Sequence, residues 1–346
     1  MSLDLESSQY WKPDEHRIQC IDAHTEGEPL RMIFSGYPKP TGNTLLEQRN
    51  HLQKFHDSLR TALMWEPRGH TDMYGCLITK PVNHESDFGV LFMHNEGYST
   101  MCGHGIIAVT KVLLETGCLP KSEPETRVTI DTPAGQTTAW AKVENGQVES
   151  VRFRNVPSYV HALNQCVTVP TLGRIHYDLA FGGAYYAYVN IRDLGLEATS
   201  SHYSEIVRLG IMIKESIANS TSIVHPEEPD LGFLYGVIFI DSAHSANAHS
   251  RHVCVFADGE VDRSPTGTGV SARLALLVAK REIRLEQPIR IESIIGTSFV
   301  GQATQEISYG EYKAIIPEVK GRAFITGQHT FYIDPDDPLK YGFRLR

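Results

Sequence analysis

Apolar and polar positions along the chain fall into two similar series of elements. From Arg17 to Phe34, short apolar runs broken at Gly27 and Pro29 predict strand, turn, strand. Thr44 to Trp65 spaces Leu45, Leu52, Phe55, Leu59 and Leu63 at a helical period and predicts one long amphipathic helix, with His51 and His56 on its solvated face and Pro67 and Gly69 ending it. A strand containing Tyr74 follows, then the apolar strand Val90-Leu91-Phe92 and a helix over the apolar run Ile106 to Leu114. Thr126 to Ala141 and Val148 to Val156 read as strands turning at Pro133-Ala134-Gly135 and Glu144-Asn145-Gly146-Gln147. The series then begins again. A strand pair over Ile175 to Val189 leads to an amphipathic helix over Ser201 to Ala218, with Ile206, Leu209, Ile213 and Ile217 on one stripe. The strand Cys254-Val255-Phe256, a Gly-rich helix from Gly267 to Lys280, and strands around Ile289 to Ile295 and Tyr312 to Ile316 close the chain.

The recurrence is visible in the residues themselves. Cys102-Gly103-His104-Gly105 with Ala108 aligns with Thr266-Gly267-Thr268-Gly269 with Ala272, and without a gap Val90-Leu91-Phe92 falls on Cys254-Val255-Phe256 and Val112-Leu113 on Leu276-Leu277. Upstream, Asp22-Ala23-His24-Thr25-Glu26-Gly27 resembles Asp178-Leu179-Ala180-Phe181-Gly182-Gly183. This is an internal duplication. It predicts two α+β domains, residues 1–172 and 173–334, divided near Pro170 to Arg174, with the last segment, 335–346, returning to the first domain. Each half contributes a Gly-rich helix N-terminus, where unpaired N–H groups and the positive dipole end favour an anion. Two such ends facing across a cleft can hold one carboxylate, with side chains 102 and 266 on opposite sides of the ligand.

Composition narrows the function. A chain of 346 residues, 41% hydrophobic and 21% charged, is ordinary globular material, and a net charge of −9 argues against nucleic acid or an anionic membrane as the main partner without excluding a small anion. Met1 to Glu15 has no apolar core of signal-peptide length and no long apolar span follows, so the expectation is a cytoplasmic protein without a membrane segment. Six cysteines without a C-x-x-C pair read as free thiols. His24, Glu26 and Glu28 share a face only if their strand is unbroken, and Gly27-Glu28-Pro29 argues that it is not; His244, His249 and His252 read as a solvent loop or pocket lid. No metal set, Walker loop or Rossmann fingerprint is spaced correctly, which leaves direct acid–base chemistry with no cofactor and no metal. Cys102 can be either a buried cap or a catalytic thiol by local spacing; the second copy at Thr266 favours a ligand site.

Five runs, Asp22 to Arg31, Trp65 to His70, Met101 to Gly105, Thr132 to Gly135 and Asp262 to Gly269, in this order and spanning nearly the whole chain, resemble the proline racemase superfamily. The resemblance implies two pseudo-symmetric domains, each a curved sheet or barrel around a central helix as in diaminopimelate epimerase, with the active site between them. It further implies an aspartate, Asp262, for the substrate's ring ammonium, an aromatic wall at Tyr74, and a homodimer. Racemases and epimerases of the superfamily carry cysteine at both repeated positions; this chain has Thr266 at the second, a pairing that looks like the trans-3-hydroxy-L-proline dehydratase branch. In that reading Cys102 is the base, its pKa drawn down by the helix end, and the N–H groups of Gly103, His104, Gly267 and Thr268 bind the substrate carboxylate. Tyr74 and Phe256 exclude water. A threonine hydroxyl is too weak an acid to share α-proton exchange with a thiol, whereas loss of water needs only one thiol, which takes the α-proton and returns one to the hydroxyl. The alternatives are a proline racemase or 4-hydroxyproline 2-epimerase using Cys102 and water, and a non-catalytic amino-acid binder.

Overall fold

The structure, a computed structural model, describes residues 16–345; Met1 to Glu15, expected to be polar and without a signal-peptide core, and Arg346 lie outside the described residues. The first strand, His16–Thr25, buries Ile18, Cys20, Ala23 and Thr25 while Arg17 and Gln19 face water, the alternation of a half-buried strand. It turns through Glu26 and Gly27, with φ of 48° and 106°, into the antiparallel strand Glu28–Ser35. Positive φ at both loop residues matches the twist of the hairpin, and the second is a glycine, which adopts it without penalty.

This hairpin begins a mixed sheet that closes on itself. Glu28–Ser35 runs parallel to Tyr74–Thr79, which pairs with Phe88–His94, which in turn lies parallel to Glu125–Thr132. Gly135–Glu144 and Gln147–Arg154 extend the sheet to the C-terminal half of Tyr312–Gly321. Only Arg322 separates that strand from Ala323–Ile333, which pairs with His16–Thr25 and completes the ring. The second lobe repeats the plan with Ser158–Val169, Gly173–Phe181, Tyr185–Asn190, Leu234–Asp241, Ser250–Phe256, Ile289–Glu292 and Ser298–Tyr309, closed by the N-terminal half of the same Tyr312–Gly321 against Ser158 and Tyr159.

Among the described residues five α-helices complete this α+β fold: α1 (Leu45–Phe55), α2 (Asp57–Met64), α3 (Gly103–Glu115), α4 (Tyr203–Ser220) and α5 (Gly267–Ala279). Almost every residue of α3 and of α5 is buried, because each threads the inside of one closed sheet; a helix apolar all round has no other stable place. Ile106, Ile107 and Val109 of α3 and Val270, Leu274 and Leu277 of α5 belong to one continuous core that spans both lobes. Helices α1 and α2 cover the outside of the first lobe and α4, through Ile206, Leu209, Ile213 and Ile217, the outside of the second. None of the described helices is long and apolar enough to cross a membrane.

Several expectations change. The single helix over Thr44 to Trp65 is two, capped by Thr44 Oγ1 accepting the Glu47 N–H and broken at His56, whose φ of −135° is not helical. The break rotates the stripe, so Leu52, Leu59 and Leu63 stay buried while Phe55 is 60% exposed. The strands Ser298–Tyr309 and Ala323–Ile333 were not expected at their full length; the latter is mostly exposed and lacks a clean alternation. His244 and His249 lie in an exposed loop, but His252 is fully buried in the strand Ser250–Phe256 and is neither lid nor loop. Among the described residues no group of three or more His, Cys, Asp or Glu is arranged to hold a metal ion.

The last strand of each repeat pairs in the other lobe's sheet: Ser158–Val169 with Gly173–Phe181, and Ala323–Ile333 with His16–Thr25. Residues 170–172, where the sequence repeat divides, are thus the loop of a second-lobe hairpin. The final segment runs along the first lobe, Phe343 bridging Glu66 and the Lys340 carbonyl accepting from Arg68. A fragment of residues 1–172 lacks the strand that covers Ile18 and Cys20 and carries an unpaired strand of its own. It is expected to show no cooperative thermal unfolding by circular dichroism, whereas the whole chain unfolds in a single transition.

Candidate active site

Helices α3 and α5 point their N-termini at one another. Cys102 caps α3 in extended conformation, with φ of −147° and ψ of 109°, and its Sγ accepts the Gly105 N–H at 3.3 Å. Thr266 stands at the equivalent place before α5, but with φ of 68° and ψ of 98°. A β-branched residue at positive φ is strained, at about 1–3 kcal/mol, and is held there only by its surroundings. Between the two lie Gly103 and Gly267: a Cβ on Gly103 would stand 2.7 Å from the Gly267 Cα, and one on Gly267 2.8 Å from the Gly103 Cα. Backbone meets backbone, and no side chain fits. The N–H groups of Gly103, His104, Gly267 and Thr268, in the first turns of the helices, have no intrahelical acceptor and converge on one space.

That space is a small cavity between the lobes. Tyr74, Cys102, Gly103 and His104 line it from the first lobe; Phe256, Asp262, Thr266, Gly267 and Thr268 line it from the second. All nine residues singled out in the sequence are therefore brought together. Glu28, Met101, Tyr186, Tyr235 and Cys254 share the wall; Glu28 and Met101 lie in the motif runs without being singled out as site residues. Tyr186 lies in the duplicated strand pair and Cys254 in the duplicated strand opposite Val90, so the repeat did point to their strands; Tyr235 had no mark in the sequence.

The aromatic groups form a dry enclosure. Tyr235 stacks on Phe256 with ring centroids 5.3 Å apart, the edge of Tyr74 meets His104 at 4.7 Å, and the Tyr74 hydroxyl bonds to Ser99 Oγ, which also reaches the Tyr235 hydroxyl at 3.3 Å. On the second lobe the Tyr186 hydroxyl holds Thr268 Oγ1 at 2.7 Å. Behind Tyr74 and Phe256 sits His94, paired at 3.4 Å with buried Glu260.

Burial dominates the electrostatics. The Cys102 thiol is pushed well above its ordinary pKa by desolvation, only partly opposed by the Gly105 N–H and the Tyr74 hydroxyl, and further raised by Asp262 and Glu28. The sequence expectation was the opposite direction. A helix end acts through one or two N–H groups, whereas enclosure removes water from every side and here adds two carboxyl neighbours. His104 Nδ1 lies 3.2 Å from Cys102 Sγ, and burial lowers its pKa, so the ring is neutral at pH 7 and can donate to the sulfur or accept from it. Asp262, 5% exposed, accepts the Ser264 N–H at 2.7 Å. Glu28, 1% exposed, has its pKa raised well above the carboxylate range by burial and by the charge of Asp262. Cys254 is likewise pushed up by burial; beside it the Thr266 hydroxyl makes no hydrogen bond of normal geometry.

Such a site can bind an anionic group between the helix ends and a cation at Asp262, and presents a thiol to one face of the ligand and a hydroxyl to the other. Because the thiolate is the nucleophile toward iodoacetamide, the direction of the Cys102 shift is measurable. In the ligand-free protein the alkylation rate of the peptide carrying Cys102, followed by mass spectrometry, is expected to keep rising tenfold per pH unit through pH 9. A plateau near neutrality would mean a lowered pKa instead.

Comparison with known proteins agrees with this geometry. The family model described as proline racemase matches residues 20–344. A protein named trans-3-hydroxy-L-proline dehydratase from Colwellia psychrerythraea is 46% identical over 343 residues, covering 98% of this chain and 97% of its own. A proline racemase from Acetoanaerobium sticklandii is 42% identical, covering 95% and 98%. Among solved structures, a hydroxyproline epimerase from Agrobacterium vitis with bound trans-4-OH-L-proline superimposes with a TM-score of 0.90 at 33% identity, covering 97% of each chain. With two facing helix ends, a thiol at one of them and a family match over nearly its whole length, the chain belongs to the proline racemase family.

Proposed function

We propose that this chain is a trans-3-hydroxy-L-proline dehydratase, a cofactor-independent hydro-lyase that yields pyrroline-2-carboxylate. One observation carries the reading: at the paired helix ends the thiol of Cys102 faces a threonine, Thr266, and not a second cysteine. The dehydratase name borne by relatives such as that of Colwellia psychrerythraea supports it.

The substrate carboxylate lies between the helix N-termini, on the N–H groups of Gly103, His104, Gly267 and Thr268. Its ring ammonium faces Asp262. The N–H groups on the carboxylate stabilise the charge that develops at the α-carbon, and Asp262 holds the ring nitrogen as the ammonium, which withdraws electron density from it. Positive charge arriving beside the thiol favours its thiolate form, so substrate binding itself offsets the effect of burial on Cys102. In trans-3-hydroxy-L-proline the α-hydrogen and the 3-hydroxyl lie on one ring face, opposite the carboxylate. Cys102 takes the α-proton, the 3-hydroxyl gains a proton on the same ring face and leaves as water, and the resulting enamine tautomerises to the cyclic imine. Thr266, on the other lobe, is not required to move a proton at the α-carbon and is free to hydrogen-bond substrate or water. A homodimer stays the expectation that the family resemblance carries, and a cytoplasmic location the one that the sequence itself carries.

A second reading, proline racemase or 4-hydroxyproline 2-epimerase, draws on Cys254, whose buried thiol also lines the cavity. Its sulfur comes from a strand and not from a helix end, so it lacks the local N–H donors that Cys102 has. NMR in D2O with trans-3-hydroxy-L-proline, L-proline and trans-4-hydroxy-L-proline separates the two. Only the 3-hydroxy compound is expected to be consumed, with Cys102→Ala lowering the rate by a factor on the order of 10²–10⁴ or more. Deuterium entering proline or 4-hydroxyproline with inversion would overturn the assignment.

A further inference from the structure

Loss of water asks for two proton transfers on one face of the ring: a base for the α-proton and an acid for the departing oxygen. Cys102 accounts for the base. Glu28 lies on the same lobe, at the start of the strand Glu28–Ser35, and lines the same cavity. Its Oε2 accepts the Arg263 N–H at 2.6 Å, while its Oε1 is buried with no hydrogen-bond partner. An unsatisfied carboxyl oxygen at a 1% exposed residue costs stability unless a ligand completes it. We propose that Glu28 is the general acid of the reaction, protonating the 3-hydroxyl as it leaves; this rests on the dehydratase assignment above.

The protonation states follow from the neighbours. Glu28 and Asp262 line one cavity, and the charge of Asp262 adds to burial in disfavouring an ionised Glu28. The Arg263 guanidinium is engaged by Asp72 at 2.9 Å and by the Val261 carbonyl, and reaches Glu28 with its backbone N–H, so Glu28 has no salt-bridging cation of its own. Burial and the Asp262 charge outweigh the Arg263 charge and N–H and raise the Glu28 pKa well above the ordinary carboxylate range, which favours the protonated carboxyl. With Oε2 accepting an N–H, the carboxyl proton belongs on Oε1. Asp262 faces the ammonium; Glu28 supplies the hydrogen.

Three hydroxyls at the wall are committed or unsuited. The Tyr74 hydroxyl is bonded to Ser99, the Thr268 hydroxyl is held by Tyr186, and Thr266 is a very weak acid on the opposite lobe. The step balances. The Cys102 thiolate takes the α-proton, the Cα–H electron pair becomes the Cα–C3 π bond, the C3–O bond breaks, and its oxygen takes the Glu28 proton and departs as water. The enzyme is left as Cys102 thiol and Glu28 carboxylate, and return of one proton from sulfur to Glu28 restores the starting state.

A leaving group that departs without a proton tests the assignment. Fluoride does, so trans-3-fluoro-L-proline is compared with trans-3-hydroxy-L-proline in the full-length protein, following pyrroline-2-carboxylate. Glu28→Gln, which keeps an oxygen for the Arg263 N–H, is expected to lower kcat on the hydroxy compound by roughly 10²–10⁴-fold while fluoride loss stays within about threefold of the unsubstituted enzyme. Glu28→Asp, which keeps the acid but withdraws it, falls between. Cys102→Ala loses both reactions. Equal losses on the two substrates in Glu28→Gln would make Glu28 a residue of binding or folding and overturn the proposal, as would undiminished hydroxyproline turnover. If the unsubstituted enzyme turns over the hydroxy compound, only the Glu28 assignment is lost in those cases; if it turns over neither, the dehydratase assignment falls and takes Glu28 with it.

Discussion

The contact on which the rest depends is between two glycines. Gly103 and Gly267 bring the ends of α3 and α5 together at backbone distance. The arrangement sets two positive dipole ends against each other, which is unfavourable by several tenths of a kcal/mol or more in a dry setting. Nothing in the helices themselves compensates. Compensation comes from the closed sheets, which bury nearly every residue of both helices, and from any anion that settles between the ends. In the proposed function the carboxylate of the substrate is thus bound by a repulsion that folding has already overcome.

Other unfavourable features gather around the same point. Thr266 sits at positive φ, its hydroxyl lacks a hydrogen bond, Glu28 has an unpartnered oxygen, and the Cys102 thiol is enclosed against ionisation. The first three each cost on the order of 1–3 kcal/mol in the empty protein. A ligand with a carboxylate, an ammonium and a hydroxyl answers several of them at once. The chemistry the cavity is short of is the chemistry of a hydroxylated cyclic amino acid.

How much of this could be read in advance differs from residue to residue. Cys102-Gly103-His104-Gly105 and its echo at Thr266 were legible because helix ends in contact demand glycine at fixed places, a requirement that leaves its mark in the local sequence. Strand pairs and the buried helices were legible for the same reason, through period. What escaped depends on distant neighbours. The break at His56 involves no glycine or proline. His252 looks like part of a polar loop until its strand is seen inside the sheet. Glu28, Cys254 and Tyr235 became wall residues only when the lobes met, and the direction of the Cys102 shift followed from enclosure, to which a motif is blind.

The exchange of terminal strands between the lobes carries a different consequence, one of descent. Each repeat lacks the strand that would close its own sheet and holds the strand that closes its neighbour's. A solitary half, such as existed before duplication, would have been an open sheet with an orphan strand, and two copies would have satisfied each other by reciprocal swapping. The single chain is then a fused form of a domain-swapped homodimer, and its active site the old symmetry axis. On that axis any side chain once faced its own twin. Covalent fusion freed the two positions to diverge, and a cysteine facing a threonine is a state that no symmetric ancestor could have held.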